Sequence, residues 1–354
     1  MAKVLYGVMG NTNGHVMRTL SLITQLPQHQ FHIVGGGRVP DVVGDRYPLT
    51  RVPVLHTRHK NQRLDLWGTI GQIVLRILQI PKICLHLHRL ARDFQPDILV
   101  SDREFFLPIF AKLTGRRCLS VDHTHILKSS HYPVPPELRK IYRLTMLNDY
   151  LLYDWTRHNL IVSFFRPPEK KRTGIVDEFF SGVVRPELSQ FQPSDQGHIL
   201  VYLSIPQFPE LLETLQTLDR PVLCYGAHRT GTEGNITFRP YDHQAILADL
   251  ASCSYAVING GHNLICEALH FGKPVLCFPI KGLIEQFINA HFIRELEYGD
   301  YTYDYAPPRA LFETFEKRRS HYAAQIAAHY RDGTPDLVKR LDEIFTATPS
   351  PPQG

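Results

Sequence analysis

Apolar positions along the chain come as short continuous runs separated by stretches with helical spacing. Lys3–Met9 is one such run, and Gly14–Leu26 sets Val16, Leu20 and Ile23 on one helical face. Phe31–Val34 and Thr50–Leu55 read as the next strands, the first ended by Gly35, Gly36 and Gly37. A long helical region follows, which Pro81 is expected to break. Asp97–Ser101 and Arg117–Val121 read as buried strands on either side of a helix over 105–114. A helix over 136–155 and a strand at Asn159–Phe165 complete this half. Strands alternating with helices predict a parallel sheet covered on both faces.

The alternation lapses over Arg185–Gly197, which is rich in Pro, Ser, Gln and Asp, and then restarts. Strands are predicted at His198–Leu203, Val222–Tyr225, Ile236–Phe238, Tyr255–Ile258 and Val275–Phe278. Helices are predicted at Pro209–Leu218, His243–Leu250, His262–Phe271 and Leu283–Leu296. The expected fold class is therefore α/β, with two doubly wound Rossmann-like domains facing across a cleft. The expected division is a domain over 1–185, a linker over 186–197 and a domain over 198–306. C-terminal helices over 307–345 and a Pro-rich disordered tail over 346–354 follow.

A length of 354 residues exceeds the ~250–300 at which single cores stop growing, which agrees with two domains. With 43% apolar and 21% charged residues, the composition excludes a disordered chain, a collagen and a coiled coil. Six scattered cysteines without a C-x-x-C pair argue against structural zinc or a disulfide framework and suit a reducing compartment. The first apolar run is too short for a signal-peptide core, and no run of about 18 apolar residues occurs. A cytoplasmic protein is expected. The net charge of +5 is matched by the surplus within 56–95 alone. There Arg58, Lys60, Arg63, Arg76, Lys82, Arg89 and Arg92 stand against Asp65 and Asp93, with His56, His59, His86 and His88 beside them.

The most informative stretch is 255–274. A buried strand runs into Asn259-Gly260-Gly261, and a helix begins at once. Two glycines permit close approach to the main chain, and a helix N-terminus offers N–H groups and partial positive charge, a setting that suits phosphate. Glu267, four residues after Asn263 and one turn deeper, is placed to accept hydrogen bonds from ribose hydroxyls. A tight turn whose glycines serve packing alone has the same residues.

From these residues the chain resembles the GT-B glycosyltransferases. Asn259-Gly-Gly-His-Asn-Leu-Ile-Cys-Glu267, then Gly272-Lys-Pro274 and Glu285-Gln286, is similar to their donor-site signature. The likeness is greatest to glycosyltransferase family 28 and its relatives. These include bacterial enzymes that add N-acetylglucosamine to lipid-linked peptidoglycan precursors, and glucuronosyl-type transferases. Gly10–Arg18 resembles the Gly-His loop after the first strand of these enzymes. The resemblance implies a GT-B fold and inverting, metal-independent transfer of a sugar from a UDP-linked donor to a hydroxyl of a lipid or small-molecule acceptor. It implies no cofactor besides that nucleotide-sugar substrate, and no nucleic-acid partner. Carried over by position, it implies that Gly260, Gly261, His262 and Asn263 surround the donor diphosphate, with Gly14 and Asn259 nearby. Glu267 would hold the ribose, Glu285 and Gln286 would meet the donor sugar, and Ile236–Pro240, with Phe238 and Arg239, would flank the base. Many relatives carry His where this chain has Asn259, which can donate a hydrogen bond but cannot carry charge.

His15 is the candidate general base, because it follows the first strand, where open α/β sheets bind ligands. Asp102 ends another strand of the same half and is placed to orient it, although a strand-end Asp also caps helices. Asp122-His123-Thr124-His125 is a second polar cluster after a strand, with no third residue at metal-ligand spacing. In 66–93, Leu66, Ile70, Ile73, Val74, Ile77 and Leu78 repeat at helical spacing after Trp67, and Lys82, His86 and Arg89 share a face. Segment 58–92 is thus a candidate for peripheral contact with an anionic membrane, or an ordinary helix with a solvated basic face. Three rival functions remain: a UDP-sugar epimerase of the same fold, a non-catalytic sugar-nucleotide-binding partner, and a dinucleotide oxidoreductase. Against the last, Gly7–Gly14 is not G-x-G-x-x-G.

Overall fold

The continuous apolar runs become the central strands of two sheets in the computed structural model, which describes residues 1–55, 59–60, 63–64, 66–203 and 208–347. Side chains at 59, 60, 63, 64, 66, 67, 69 and 70 fall outside that description. One unit comprises Met1–Tyr132, Arg143–Phe180 and the chain from Gly333 onward. The other comprises Pro133–Tyr142 and Ser181–Asp332.

The first unit holds β1 (Lys3–Val8), β2 (Gln30–Gly35), β3 (Leu49–Arg51), β6 (Ile98–Asp102), β7 (Cys118–Asp122), β8 (His158–Val162) and β9 (Val176–Phe180). β4 (His59–Lys60) and β5 (Arg63–Leu64) pair separately as a short hairpin. The main sheet is parallel, in the order β3-β2-β1-β6-β7-β8-β9. Its inner strands are buried on both faces, which explains their unbroken apolar character. The chain winds outward in opposite directions from β1 and β6, so their C-terminal ends form the switch point at which such sheets receive ligands. α1 (Asn13–Ile23), α2 (Val39–Val43), α3 (Leu66–Phe94), α4 (Phe106–Thr114), α5 (Ile126–Ser129) and, from Arg143 on, α6 (Arg139–Tyr153) connect or cover the strands. Leu87 and Ala91 of α3 and Phe106 and Phe110 of α4 pack on Leu5, Val34 and Leu99.

The second sheet runs β12-β13-β11-β10-β14-β15-β16. It is built from β10 (Ile199–Tyr202), β11 (Val222–Tyr225), β12 (Gly231–Glu233), β13 (Ile236–Phe238), β14 (Tyr255–Ile258), β15 (Val275–Cys277) and β16 (Gly299–Tyr301). Only β12 is antiparallel among these described strands. Its helices are α7 (Pro209–Gln216), α8 (His243–Ser252), α9 (His262–His270), α10 (Ile284–Glu295) and α11 (Arg309–His329). The switch point lies at β10 and β14, where Tyr202 pairs with Ile258. α12 (Thr334–Ala347) belongs to the first unit. Leu337, Leu341, Ile344 and Phe345 form its buried face, and His29 holds Asp342 at 2.7 Å.

Several elements differ from expectation. α3 runs unbroken through Pro81. Pro81 and Ile77, whose carbonyl loses its partner, are both exposed, so water can satisfy the freed group. The third strand stops at Arg51, and the strand predicted to Phe165 stops at Val162. Thr346 and Ala347, assigned to the tail, extend α12, and 348–354 lie outside the described residues. Residues 186–197 lie along the second unit: Ser194 and Gln196 donate to Ala251 and Ser252, and the Lys273 ammonium to the Ser194 carbonyl.

Glu104 is a buried carboxyl that caps α4, accepting from the Leu107 N–H at 2.5 Å. Burial raises it to about 7 from 4.5, although main-chain hydrogen bonds pull the other way. The native state therefore binds the proton more tightly than the unfolded chain, and stability falls as pH rises from the ordinary value toward 7. Glu104→Gln should stabilise the protein above that range by about 3 kcal/mol and change little below it. Denaturant unfolding on either side of the window checks this. An equal effect at both pH values would contradict it.

Candidate active site

β1 and β6 pair in register from Val4–Ile98 to Val8–Asp102, and Met9 donates its N–H to the Asp102 carbonyl at 3.0 Å. This brings the end of β6 to the loop that enters α1. His15 is the third residue of α1, in its first turn rather than in the preceding loop, directly after Gly14. Its Nδ1 lies 2.7 Å from Asp102 Oδ1, with the imidazole 18% exposed and Asp102 fully buried. When Nδ1–H donates to Asp102, the lone pair is left on Nε2, the tautomer a general base requires.

Arg18, one turn along α1, was not foreseen. Its Nε donates to Asp102 Oδ2 at 2.9 Å and its Nη2 to Oδ1 at 2.6 Å. Burial disfavours the guanidinium charge, but Asp102 outweighs it and raises the Arg18 pKa. Asp102 therefore answers a buried arginine as well as orienting His15. The i, i+3 spacing of His15 and Arg18 on one helix face was the available signal.

Asp122 ends β7 and forms a second carboxylate–imidazole pair, 2.6 Å from His125 Nδ1, with Ser120 donating at 2.7 Å. Burial works against the Asp122 charge, but His125 and Arg103 with the Ser120 hydrogen bond hold its carboxyl well below the usual range. His123 meets the Val162 carbonyl at 2.8 Å. Among the described residues no group of three or more His, Cys, Asp or Glu is arranged to hold a metal ion.

In the second unit β14 ends at Ile258, and Asn259-Gly260-Gly261 leads into α9. Asn259 Nδ2 donates to the Phe278 carbonyl at 3.0 Å, tying the turn to the strand beside it. The two glycines differ in purpose. Gly260 has φ +92, and a Cβ there would meet the Gln286 carbonyl oxygen at 2.9 Å, so conformation and packing both require it. Gly261 has φ −68 and ψ 127, open to any residue, and a Cβ there would meet nothing within 4 Å. Its bareness leaves space in front of a helix start that no side chain caps. Asn289 of α10, not anticipated from sequence, is fully buried and donates to the Gly260 carbonyl at 3.0 Å. Gln286 accepts from the Ile280 N–H at 3.0 Å, and Glu285 shares the first turn of α10.

The remaining donor-side residues differ in burial. The His262 ring is buried, with Nε2 3.5 Å from Cys266 Sγ, while Asn263 is partly exposed. Glu267 is buried and bidentate with Arg185, at 2.6 and 2.7 Å, and Arg185 in turn meets His243. Burial opposes the Arg185 charge, and Glu267 more than offsets it. Phe238 packs in the core with the Arg229 guanidinium 3.8 Å from its ring centre, and Arg239 pairs with Asp249 at 2.5 Å.

Comparison with known proteins gives the family and the fold. Residues 2–317 match the model of Glycosyl transferase family 1. A Methanosarcina mazei protein described as an uncharacterized glycosyltransferase is 26% identical, over 99% of this chain and 96% of its own length. A Methanosarcina acetivorans protein so described is 25% identical over 88% of each. Among solved structures, Phytolacca americana UGT2 complexed with UDP-2fluoro-glucose and pterostilbene superposes with a TM-score of 0.71 at 13% identity, covering 98% of this chain and all of that one. Acinetobacter baumannii MurG gives 0.63 at 14% identity, over 97% of this chain and 100% of that one. The chain belongs to glycosyl transferase family 1, and it is a glycosyltransferase with the two Rossmann-like domains of the GT-B fold.

Proposed function

We propose that the protein transfers a sugar from a UDP-sugar to a hydroxyl of a lipid or small-molecule acceptor, with inversion and without a metal ion. The observation that carries this reading is the His15–Asp102 pair at 2.7 Å, on the ligand-receiving edge of its sheet. His15 Nε2 removes the acceptor proton as the hydroxyl attacks the anomeric carbon. The uncapped start of α9 beyond Gly261 takes the diphosphate and stabilises its developing charge, work a cation does elsewhere. Glu267, fixed by Arg185, keeps lone pairs for ribose hydroxyls. Glu285 and Gln286 meet the sugar, and the main chain at Phe238 and Arg239 flanks the base. The donor and acceptor in the UGT2 complex support the same pair of substrate classes here. A panel of nucleotide sugars, scored for transfer in excess EDTA, tests the reading. One UDP-sugar should be consumed at an unchanged rate, and activity that vanishes on chelation and returns with Mg²⁺ or Mn²⁺ would overturn it.

For a lipid acceptor, α3 offers a surface. Leu78 is 72% exposed, Val74, Ile77 and Leu85 are exposed on the same helix, and Lys82, His86 and Arg89 are exposed beside them. Arg58 and the side chains of Lys60, Arg63 and Trp67, part of the proposed segment 58–92, lie outside the described residues. Arg76 is spent on the Val54 carbonyl at 3.0 Å. No described helix is long and apolar enough to cross a membrane. Lys82→Glu with Arg89→Glu should abolish sedimentation with phosphatidylglycerol vesicles at low salt, and wild-type sedimentation by that variant would contradict the surface.

A further inference from the structure

The first unit carries a second concavity, at the opposite edge of its sheet from His15. It is a groove of about 510 Å³ at the N-terminal ends of β7, β8 and β9, where Cys118, His158 and Val176 begin their strands. Lys112, Arg116, Arg117, Arg157 and Arg340 line it, against two acids, Asp154 and Glu178. Both acids are already answered. Asp154 pairs with Lys128 at 2.9 Å and Arg172 at 3.3 Å, and Glu178 with Arg340 at 2.8 Å and His158 at 2.5 Å. Among the described residues, no carboxylate lies within ion-pair distance of Lys112, Arg116 or Arg157. Like charges gathered in one concavity repel, and an anion relieves that repulsion.

The groove has a built floor. Trp155 is half-buried, its indole N–H donates to the Leu152 carbonyl at 3.1 Å, and Lys112 sits 4.7 Å from its ring centre. Arg116 is anchored by the Pro96 carbonyl, and Arg340 is forked onto Glu178, so part of the charge is preorganised. The volume falls within the usual ~300–1,000 Å³ of small-molecule sites. Strands of this length, at ~3.3 Å per residue, set it roughly 15 Å from the C-terminal edge that bears His15 and Asp102.

We propose that this groove is a second, non-catalytic site for a phosphate-bearing anion with at least two negative charges, supplied by a soluble phosphorylated molecule or by a lipid headgroup. The proposal stands apart from the assignment of donor and acceptor. Trp155 is one of only two tryptophans, so emission of the full-length Trp67→Phe protein reports on the groove. Titration with inorganic pyrophosphate at low salt should change that emission saturably, and saturating UDP should not displace it. Arg157→Glu, an exposed change, should raise the apparent Kd at least about tenfold, Arg116→Glu with Arg157→Glu further, and Lys317→Glu in the other unit not at all. A saturable response to phosphatidic acid vesicles, whose phosphomonoester headgroup carries up to two charges, but not to pyrophosphate assigns the anion to a headgroup, and the reverse to a soluble ligand. No saturable response to either, or Arg157→Glu binding like the parent with an unchanged melting temperature, would overturn the proposal.

Discussion

Replacing His15 with alanine should lower kcat by about 10²–10⁴-fold and leave UDP affinity unchanged. An acceptor hydroxyl is a poor nucleophile near neutral pH, so a base must take its proton as the new bond forms. Imidazole, with an ordinary pKa of ~6.5, suits that task, and Asp102 holds the ring with Nδ1 2.7 Å from its carboxylate. Asp102→Asn is the weaker test. It also strips the charge from the partner of buried Arg18, and breaking a buried ion pair costs about 3–5 kcal/mol. A loss of activity there would mix folding with catalysis. His15 carries no comparable structural duty: its side chain is partly exposed, and among the described residues its polar contacts are to Asp102 and Arg18. Steady-state kinetics and UDP calorimetry on one preparation of His15→Ala decide the matter. Near-wild-type turnover would exclude it as the base, and lost UDP affinity in a folded protein would place it with the donor.

The sheets were legible in the sequence where burial on both faces forces continuous apolar runs. Val222–Tyr225, Ile236–Phe238 and Tyr255–Ile258 begin and end where the pattern places them, because Pro, Asn and Gly punctuate their flanks. Val176–Phe180 was not legible. It is an edge strand interrupted by Asp177 and Glu178, which serve Arg172 and Arg340 rather than a hydrophobic face. Gly299–Tyr301 carries too little apolar character to register. The His15–Asp102 meeting followed from strand ends converging at a switch point. The charges that balance the candidate sites did not. Arg18 reads as an ordinary helix residue and Arg185 as the edge of a linker, and only the folded chain shows each clamped on a buried carboxylate. Phe238 lies in the segment expected to flank the base, and its ring is in the core.

Donor binding gives the second large effect. Glu267→Ala is a poor probe, since it strands buried Arg185 and should cost the second unit about 3–5 kcal/mol of stability. Gly261 is a cleaner one. Its backbone suits any residue and its missing side chain leaves open space, so Gly261→Val should fold normally, with a melting temperature near wild type. The two added methyl groups would stand where the diphosphate must approach the N–H groups that open α9. Losing two or more charge-assisted hydrogen bonds, at about 1.5–3 kcal/mol each, should weaken UDP by at least about a hundredfold. Calorimetric titration of UDP into the wild type and Gly261→Val therefore tests the central claim, that a nucleotide diphosphate docks on this helix start. The account predicts saturable binding to the wild type and none measurable to the folded variant; equal affinity in both, or no UDP binding by the wild type, would contradict it.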